Sequence, residues 1–347
     1  MKHTVMEERA VLLRREYADH PAMEIADAVK FLYQSVMGCE HLLENRPAAL
    51  RRIREEMAEP LTGAAPVTDL GDYIRLDLPA CRGKLRPETV CALFCRTAEA
   101  GGAGQKQLRE ALPLVYELPF DRAETAAWLQ RYEAAGMPPV RHSEAYRRAY
   151  APHYRVIRRT YLRLLPLLER MDRQEGRVLA ALDGPCAAGK TTMAAELAAV
   201  CDCNVFHMDD FFLPPEKRTP QRLAEAGGNV DYERFLQQVL LPLSRGEPVH
   251  FAPYDCSSGG WGEERHYPVR RLNLVEGSYS LHPALRPYYD IKACMELDPQ
   301  RQMDRIIKRN GPEMAERFRS VWIPLENDYF RRCRVREESD LLIPECL

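Results

Sequence analysis

Long apolar runs are missing from this chain: no stretch of 18 apolar residues occurs, which excludes a membrane-spanning helix of ordinary length. The first residues, Met1 to Arg15, are studded with charge and contain no apolar core, so they do not read as a secretory signal. A zinc-type cysteine pattern is also missing. Among 11 cysteines only Cys91/Cys95 and Cys201/Cys203 stand close, and neither pair has a second Cys or His pair at metal-ligand spacing. An odd number of cysteines without a framework suits a reducing compartment and core packing, so the expected location is cytoplasmic. An excess of charge of either sign is missing as well. The formal net charge is -2, which gives no bulk attraction to nucleic acid or to an anionic membrane. There is no internal repeat and no low-complexity tract. What is present is 347 residues, 46% hydrophobic and 29% charged, enough for about two domains that each bury a core.

The two halves have different grammars. Residues 1–172 read as a mostly α-helical domain of unknown role. Ile25, Val29, Leu32 and Val36 recur at helical spacing until Gly38, and Leu50, Ile53 and Met57 do so before Pro60. Pro87 sits where a helix starts. Gly101, Gly102 and Gly104 break the chain before a short helix, and Pro138-Pro139 break it again. A last helical stretch is expected from Ser143 to Met171, interrupted near Pro152 and Pro166. Between Arg141 and Arg170 lie eight Arg against two Glu, a local balance of 8 − 2 = +6, interleaved with tyrosines. Such a stretch could stack on and neutralise a single strand. With an overall charge of -2, arginines that are solvated or paired with acids are the better reading, and no nucleic-acid partner is expected.

After the polar segment 172–177 the pattern becomes strand, Gly-rich turn, helix, and then further alternation. Residues 173–347 therefore read as an α/β domain, a parallel sheet covered by helices on both faces. The turn Gly184-Pro185-Cys186-Ala187-Ala188-Gly189-Lys190-Thr191 matches G-x-x-x-x-G-K-[ST] in full, with Thr192 following. Its glycines let backbone N–H groups converge on phosphates, and the next helix points its positive end at them. Lys190 would reach the β- and γ-phosphates of ATP, and the Thr191 hydroxyl would ligate Mg²⁺. No N-K-x-D tetrapeptide follows, which argues against a guanine-specific switch. A kinase needs in addition an acid at the acceptor, a further magnesium ligand and cationic clamps. Asp209-Asp210 after the apolar run 204–208 would stand beyond the carboxyl end of a strand, although a helix cap explains such acids too. Glu276 ends a second apolar run, where an acid can hold the magnesium shell.

Together these residues resemble the uridine kinase branch of the P-loop kinases, which includes nicotinamide riboside kinases and phosphoribulokinases. The resemblance covers residues 176–345 and rests on Asp183 to Thr192, His207-Met-Asp-Asp-Phe-Phe212, Asn229-Val-Asp231, Pro253-Tyr254-Asp255 and Glu276-Gly277 in order. It implies that Asp209 is the catalytic base, that Asp210 lies near the metal or ribose, and that Phe211 belongs to the substrate wall. It further implies that Asp231 binds ribose hydroxyls, that Tyr254 lines the base pocket and that Glu276 is the Walker B acid. Arg305 takes the position of a phosphate-clamping arginine, with Lys308 and Arg309 competing for the next one. Two departures stand out: Asn310 to Arg317 replaces the Glu-Arg-Gly-Arg lid motif, and the 254–261 segment lacks the pyrimidine-reading His, for which His266 could substitute. The implied activity is transfer of the γ-phosphate of ATP, with Mg²⁺, to the ribose 5'-OH of a nucleoside-like acceptor. Pantothenate, nicotinamide riboside or a polyol as acceptor, or a nucleotide-gated regulatory module, remain alternatives, and a homo-oligomer is compatible with all of them.

Overall fold

A computed structural model of the chain describes residues 4–39, 45–102, 104–256 and 259–345. Two units result, Met1–Leu162 and Arg163–Leu347. The division falls ten residues before the boundary expected at 172, because the helix Leu165–Arg173 packs against strands of the second unit and buries Leu167, Leu168 and Met171 there.

In the first unit the periodic segments are helices where expected. Ile25–Met37 ends on Gly38 at φ 67°, Arg46–Met57 runs from the side-chain cap of Asn45, and Pro87–Ala100 begins on its proline. Three strands were not expected: β1 (Val67–Asp69), β2 (Tyr73–Asp77) and β3 (Tyr154–Arg158) form an antiparallel sheet in that order. The helix expected from Ser143 to Met171 is thus corrected. It stops at Tyr150, where Ala151 turns left-handed at φ 41° before Pro152, and the chain extends into β3. The basic stretch is partly neutralised from within the unit: Arg155 makes a bidentate pair with Glu56 at 2.8 Å, and Arg159 pairs with Asp69.

Polar groups knit this unit's interior. Arg75 of β2 is 4% exposed, bonds Glu16 and, at 2.9 Å, Gln34, and lies over the Tyr154 ring. His142 joins Asp27 (2.7 Å) to the Tyr154 hydroxyl (2.6 Å) and stacks on Tyr146. Burial would raise the Asp27 carboxyl, but hydrogen bonds from His142 and Ser143 hold it below its ordinary value.

The second unit is built on a five-stranded parallel sheet. In chain order its strands are β4 (Val178–Asp183), β5 (Cys203–His207), β10 (Leu272–Glu276), β11 (Ile291–Met295) and β12 (Leu341–Ile343), arranged β12-β11-β4-β10-β5. Between β5 and β10 lie two short antiparallel pairs. β6 (Val249–Phe251) pairs with β9 (Arg265–Tyr267), and β7 (Tyr254–Asp255) pairs with β8 (Gly260–Trp261). Asn273 does not interrupt β10: it is fully buried and its side-chain carbonyl accepts a 3.0 Å bond from Asn204 of β5, so two polar side chains satisfy each other in the sheet. Phe206, Phe211, Phe235 and Phe251 fill the core beside the sheet, each worth about 1.5–3 kcal/mol on burial. No helix among the described residues is long and apolar enough to cross a membrane.

Burial pushes both His142 and His282 down to about 4. A buried neutral imidazole stabilises the fold above its unfolded value of about 6.5, and that contribution is lost as pH falls toward 4 because the unfolded chain takes up the proton first. The depressed Asp27 acts in the same direction. Scanning calorimetry should show stability falling between pH 6.5 and 4, and the His142→Asn variant should show a shallower slope; an unchanged slope would contradict the burial of His142 as neutral imidazole.

Candidate nucleotide and acceptor site

Register brings the chemistry to one edge of the sheet. Glu276 stands beside Leu182 of β4 on one side and His207 of β5 on the other, so the phosphate loop, the β10 acid and the 209–210 acids follow neighbouring strand ends. The loop leaves β4 through Gly184 at φ 140°, where an added Cβ would lie 2.7 Å from the Met295 carbonyl oxygen. Ala187 and Gly189 are left-handed, and the helix Lys190–Val200 starts directly behind Gly189. Alternation of this kind turns successive N–H groups to one side and forms a nest for anions. Gly184, Pro185, Cys186, Ala187, Ala188, Gly189, Lys190, Thr191 and Thr192 are thus one continuous strand-turn-helix element.

Lys190 is buried and donates to the carbonyl oxygens of Gly184 (2.7 Å) and Pro185 (3.0 Å) and to Ser278 Oγ (3.2 Å). Thr191 donates to Glu276 Oε1 at 3.0 Å, and the same oxygen lies 2.5 Å from His207 Nδ1. The Glu276 carboxylate raises the His207 pKa through that bond, against the effect of burial. A hydroxyl and a carboxylate in contact form a hard oxygen set that suits Mg²⁺. Gly277 follows at φ 137°, its Cα so close to Met208 that an added Cβ would come within 2.7 Å. The β5 and β10 strand ends therefore meet without a side chain between them.

Asp209 sits in the one-turn helix Met208–Phe211 and is open to solvent. The protein packed around it raises its carboxyl above the ordinary value. Lys190 opposes the shift and Glu276 adds to it, while the water that reaches the group softens all three effects. Asp210 is held by Arg265 at 2.6 Å.

Several expectations change on the acceptor side. Phe211 does not line a pocket; it is fully buried, with Phe235 and Phe251 packed against it and Arg234 4.0 Å from its ring centre. Asp231 is 1% exposed and both its oxygens are taken, one capping the Arg234 backbone N–H at 3.1 Å and the other bound to Lys217 at 2.7 Å, so it offers little to a sugar. Tyr254 is buried, edge-on to the more exposed Trp261 at 5.3 Å. Arg305 reaches the loop: it donates to the Ala187 carbonyl at 3.2 Å and pairs with Glu345 at 2.7 Å. Arg309 instead bonds Asn310 and lies over Phe318, and among the described residues no contact brings it to the loop. His266 is exposed on β9 and bonded to His250 and Glu264.

Four residues that support the site carry no role in the sequence reading. Asp183, fully buried, accepts from the backbone N–H of Gly184 (2.7 Å) and Leu281 (2.8 Å) and from the Tyr329 hydroxyl (2.7 Å). Ser278 and Glu326 meet at 2.8 Å, and Gln302 donates to the Cys186 carbonyl at 3.1 Å. Asp183 opens the loop motif, Ser278 lies two residues past Glu276 and Gln302 three residues before Arg305, whereas Glu326 stands far from any motif.

No family model matches the chain. Over 158 residues, 44% of this chain and 35% of that protein, it is 23% identical to uridine-cytidine kinase C of Dictyostelium discoideum, so it spans about a third of that relative's length. Two solved structures are similar over half of the chain. One, described as a possible uridine kinase from Bacillus stearothermophilus, is 20% identical and is matched over 51% of this chain and 99% of that one, with a TM-score of 0.39. The other, a candidate fructose transport system kinase from a Silicibacter species, is 26% identical over 51% and 94%, with a TM-score of 0.40. The uridine kinase-like branch of the P-loop kinases is supported for this part of the chain.

The close approach at Gly184 makes the loop testable. Gly184→Ala should weaken Mg·ATP binding by about tenfold or more and lower the melting temperature, since the added carbon meets backbone rather than a movable side chain. Titration with a fluorescent ATP analogue reads the first effect; wild-type affinity in this variant would contradict the loop conformation.

Proposed function

We propose that the second unit transfers the γ-phosphate of ATP to a hydroxyl of a small, nucleoside-like molecule. The observation that carries this reading is the place of the solvent-open Asp209, in the turn directly after β5, next to the β10 end whose Glu276 accepts from Thr191 of the loop helix. A pure nucleotide switch has no need of an open carboxylate beside its phosphate loop.

Phosphoryl transfer depends on positioning and charge neutralisation more than on covalent chemistry by the protein. Asp209 orients the acceptor O–H and takes its proton as the new O–P bond forms. The bond from the γ-phosphorus to the β,γ-bridging oxygen breaks, and ADP leaves with that oxygen. Lys190 and Arg305 supply positive charge along the loop rim. Thr191 and Glu276 would hold Mg²⁺, which supplies further neutralisation of phosphate charge. The aromatic hairpin β7–β8, where Trp261 is 55% exposed beside Tyr254 and Arg234, supports an acceptor with a planar ring. Asp210 and Arg265 would flank it, and Asp231 acts through Lys217 and Arg234 rather than on the sugar.

Asp209→Asn should keep Mg·ATP affinity within a few-fold and lower turnover by about 100-fold or more, the usual scale for a general base. A coupled ADP-release assay over uridine, cytidine, nicotinamide riboside, pantothenate and a pentitol identifies the acceptor. Near-normal turnover of the D209N variant on the best acceptor would remove Asp209 from the mechanism.

A further inference from the structure

The third residue of the phosphate loop is gripped from outside the loop. Glu326, in the first turn of the helix Ile323–Arg332, accepts a 2.9 Å bond from the Cys186 backbone N–H. Gln302 donates to the Cys186 carbonyl at 3.1 Å, so both main-chain groups of this residue are satisfied by side chains. The other Glu326 oxygen accepts from Ser278 Oγ at 2.8 Å. A hydroxyl has one proton. Two acceptors face that proton, Glu326 and, at 3.0 Å, the Gly184 carbonyl; the carboxylate is nearer and charged and takes it, which leaves the Ser278 oxygen as an acceptor toward the Lys190 ammonium 3.2 Å away. Glu326 is 6% exposed and Ser278 8%, so neither bond can be exchanged freely for water. One turn along the same helix face, Tyr329 bonds Asp183 at the foot of the loop.

We propose that Glu326 is a positioning residue of the nucleotide site. It fixes the loop at Cys186, and through Ser278 it sets the direction of the Lys190 ammonium. A carboxylate is required because two donors converge on the side chain, the amide N–H and the hydroxyl. A glutamine has one acceptor oxygen and an NH₂ group that would face one of those donors. The burial that makes the grip rigid also pushes the Cys186 thiol up to about 12, with the Glu326 charge adding to the effect, so this loop cysteine stays protonated at neutral pH.

The inference rests on the nucleotide half of the proposed function and not on the acceptor. The test measures Mg·ATP affinity with a fluorescent ATP analogue for the wild type, Glu326→Gln, Ser278→Ala and the double variant, with melting temperature recorded for each. Glu326→Gln should weaken binding by about 10- to 100-fold, the scale of a buried donor left unmet, while melting stays within a few degrees of wild type. Because both residues act along one route to Lys190, the double variant should fall short of the product of the single effects by more than about threefold. Binding by Glu326→Gln within about threefold of wild type, or a double-variant effect that close to the product, overturns the proposal. So does a loss of binding that merely follows the unfolded fraction. If the wild type binds Mg·ATP but phosphorylates no acceptor, the kinase reading fails and the role of Glu326 stands; if the wild type does not bind Mg·ATP, both fall.

Discussion

The parallel register of β4, β10 and β5 is the constraint on which the site depends. Residue pairing sets Glu276 level with Leu182 and His207, so the chain turns out of three adjacent strands at nearly the same height. The phosphate-loop motif, the β10 acid and the 209–210 acids then leave the sheet in one place. Thr191 can touch Glu276 at 3.0 Å because the helix behind the loop begins beside the β10 end. A slip of one residue in β10 would turn Glu276 to the opposite face of the sheet and replace it with Val275 or Gly277. The glycine at 277 belongs to the same constraint, since only a missing Cβ lets the chain leave β10 against Met208.

The electrostatics follow from that crowding. Asp183, Asp209 and Glu276 are three acids at two neighbouring strand ends and the turn after a third, and Lys190 is the cation among them. Each acid meets the problem differently. Asp183 is buried and surrounded by three donors, which makes it a structural anchor whose raised pKa reflects burial. Glu276 shares its charge with His207 and Thr191. Asp209 has no bonded side-chain donor among the described residues and remains open to solvent. Different surroundings assign different tasks to chemically similar groups.

How much of this was legible in the sequence varied with the length scale of the signal. The phosphate loop was readable because its backbone geometry dictates glycine at fixed positions and its chemistry dictates Lys190 and Thr191. The helices of the first unit were readable where apolar residues repeat at 3.6, as in Ile25 to Val36, and where Pro87 or Gly38 marks an end. β3 was not, because Tyr154 to Arg158 is short, basic at alternate ends, and preceded by a segment that does form a helix. Phe211 and Asp231 belong to motifs and still face inward: motif membership fixes position along the chain, while exposure is decided by what packs above. Glu326 and Gln302 were invisible for another reason. They approach the loop from helices more than a hundred residues away, and no local pattern encodes such a contact.

The proposed acceptor wall shows the same logic in one side chain. Arg234 donates to the Asp210 carbonyl at 2.8 Å and the Ala252 carbonyl at 3.0 Å, lies over Phe211, and stands 4.9 Å from the Trp261 ring. It therefore ties the turn after β5 to the strand before β7 and to the aromatic hairpin. Asp231, by capping the Arg234 backbone and offsetting its charge, holds the clamp in place. A carboxylate spent in this way is not free to hold a sugar, yet losing it would disturb the acceptor wall as surely as losing a ligand. On the proposed function, kinetic loss on replacing Asp231 would have an indirect origin: the wall would shift, and an acceptor hydroxyl would lose the surface that aims it at Asp209.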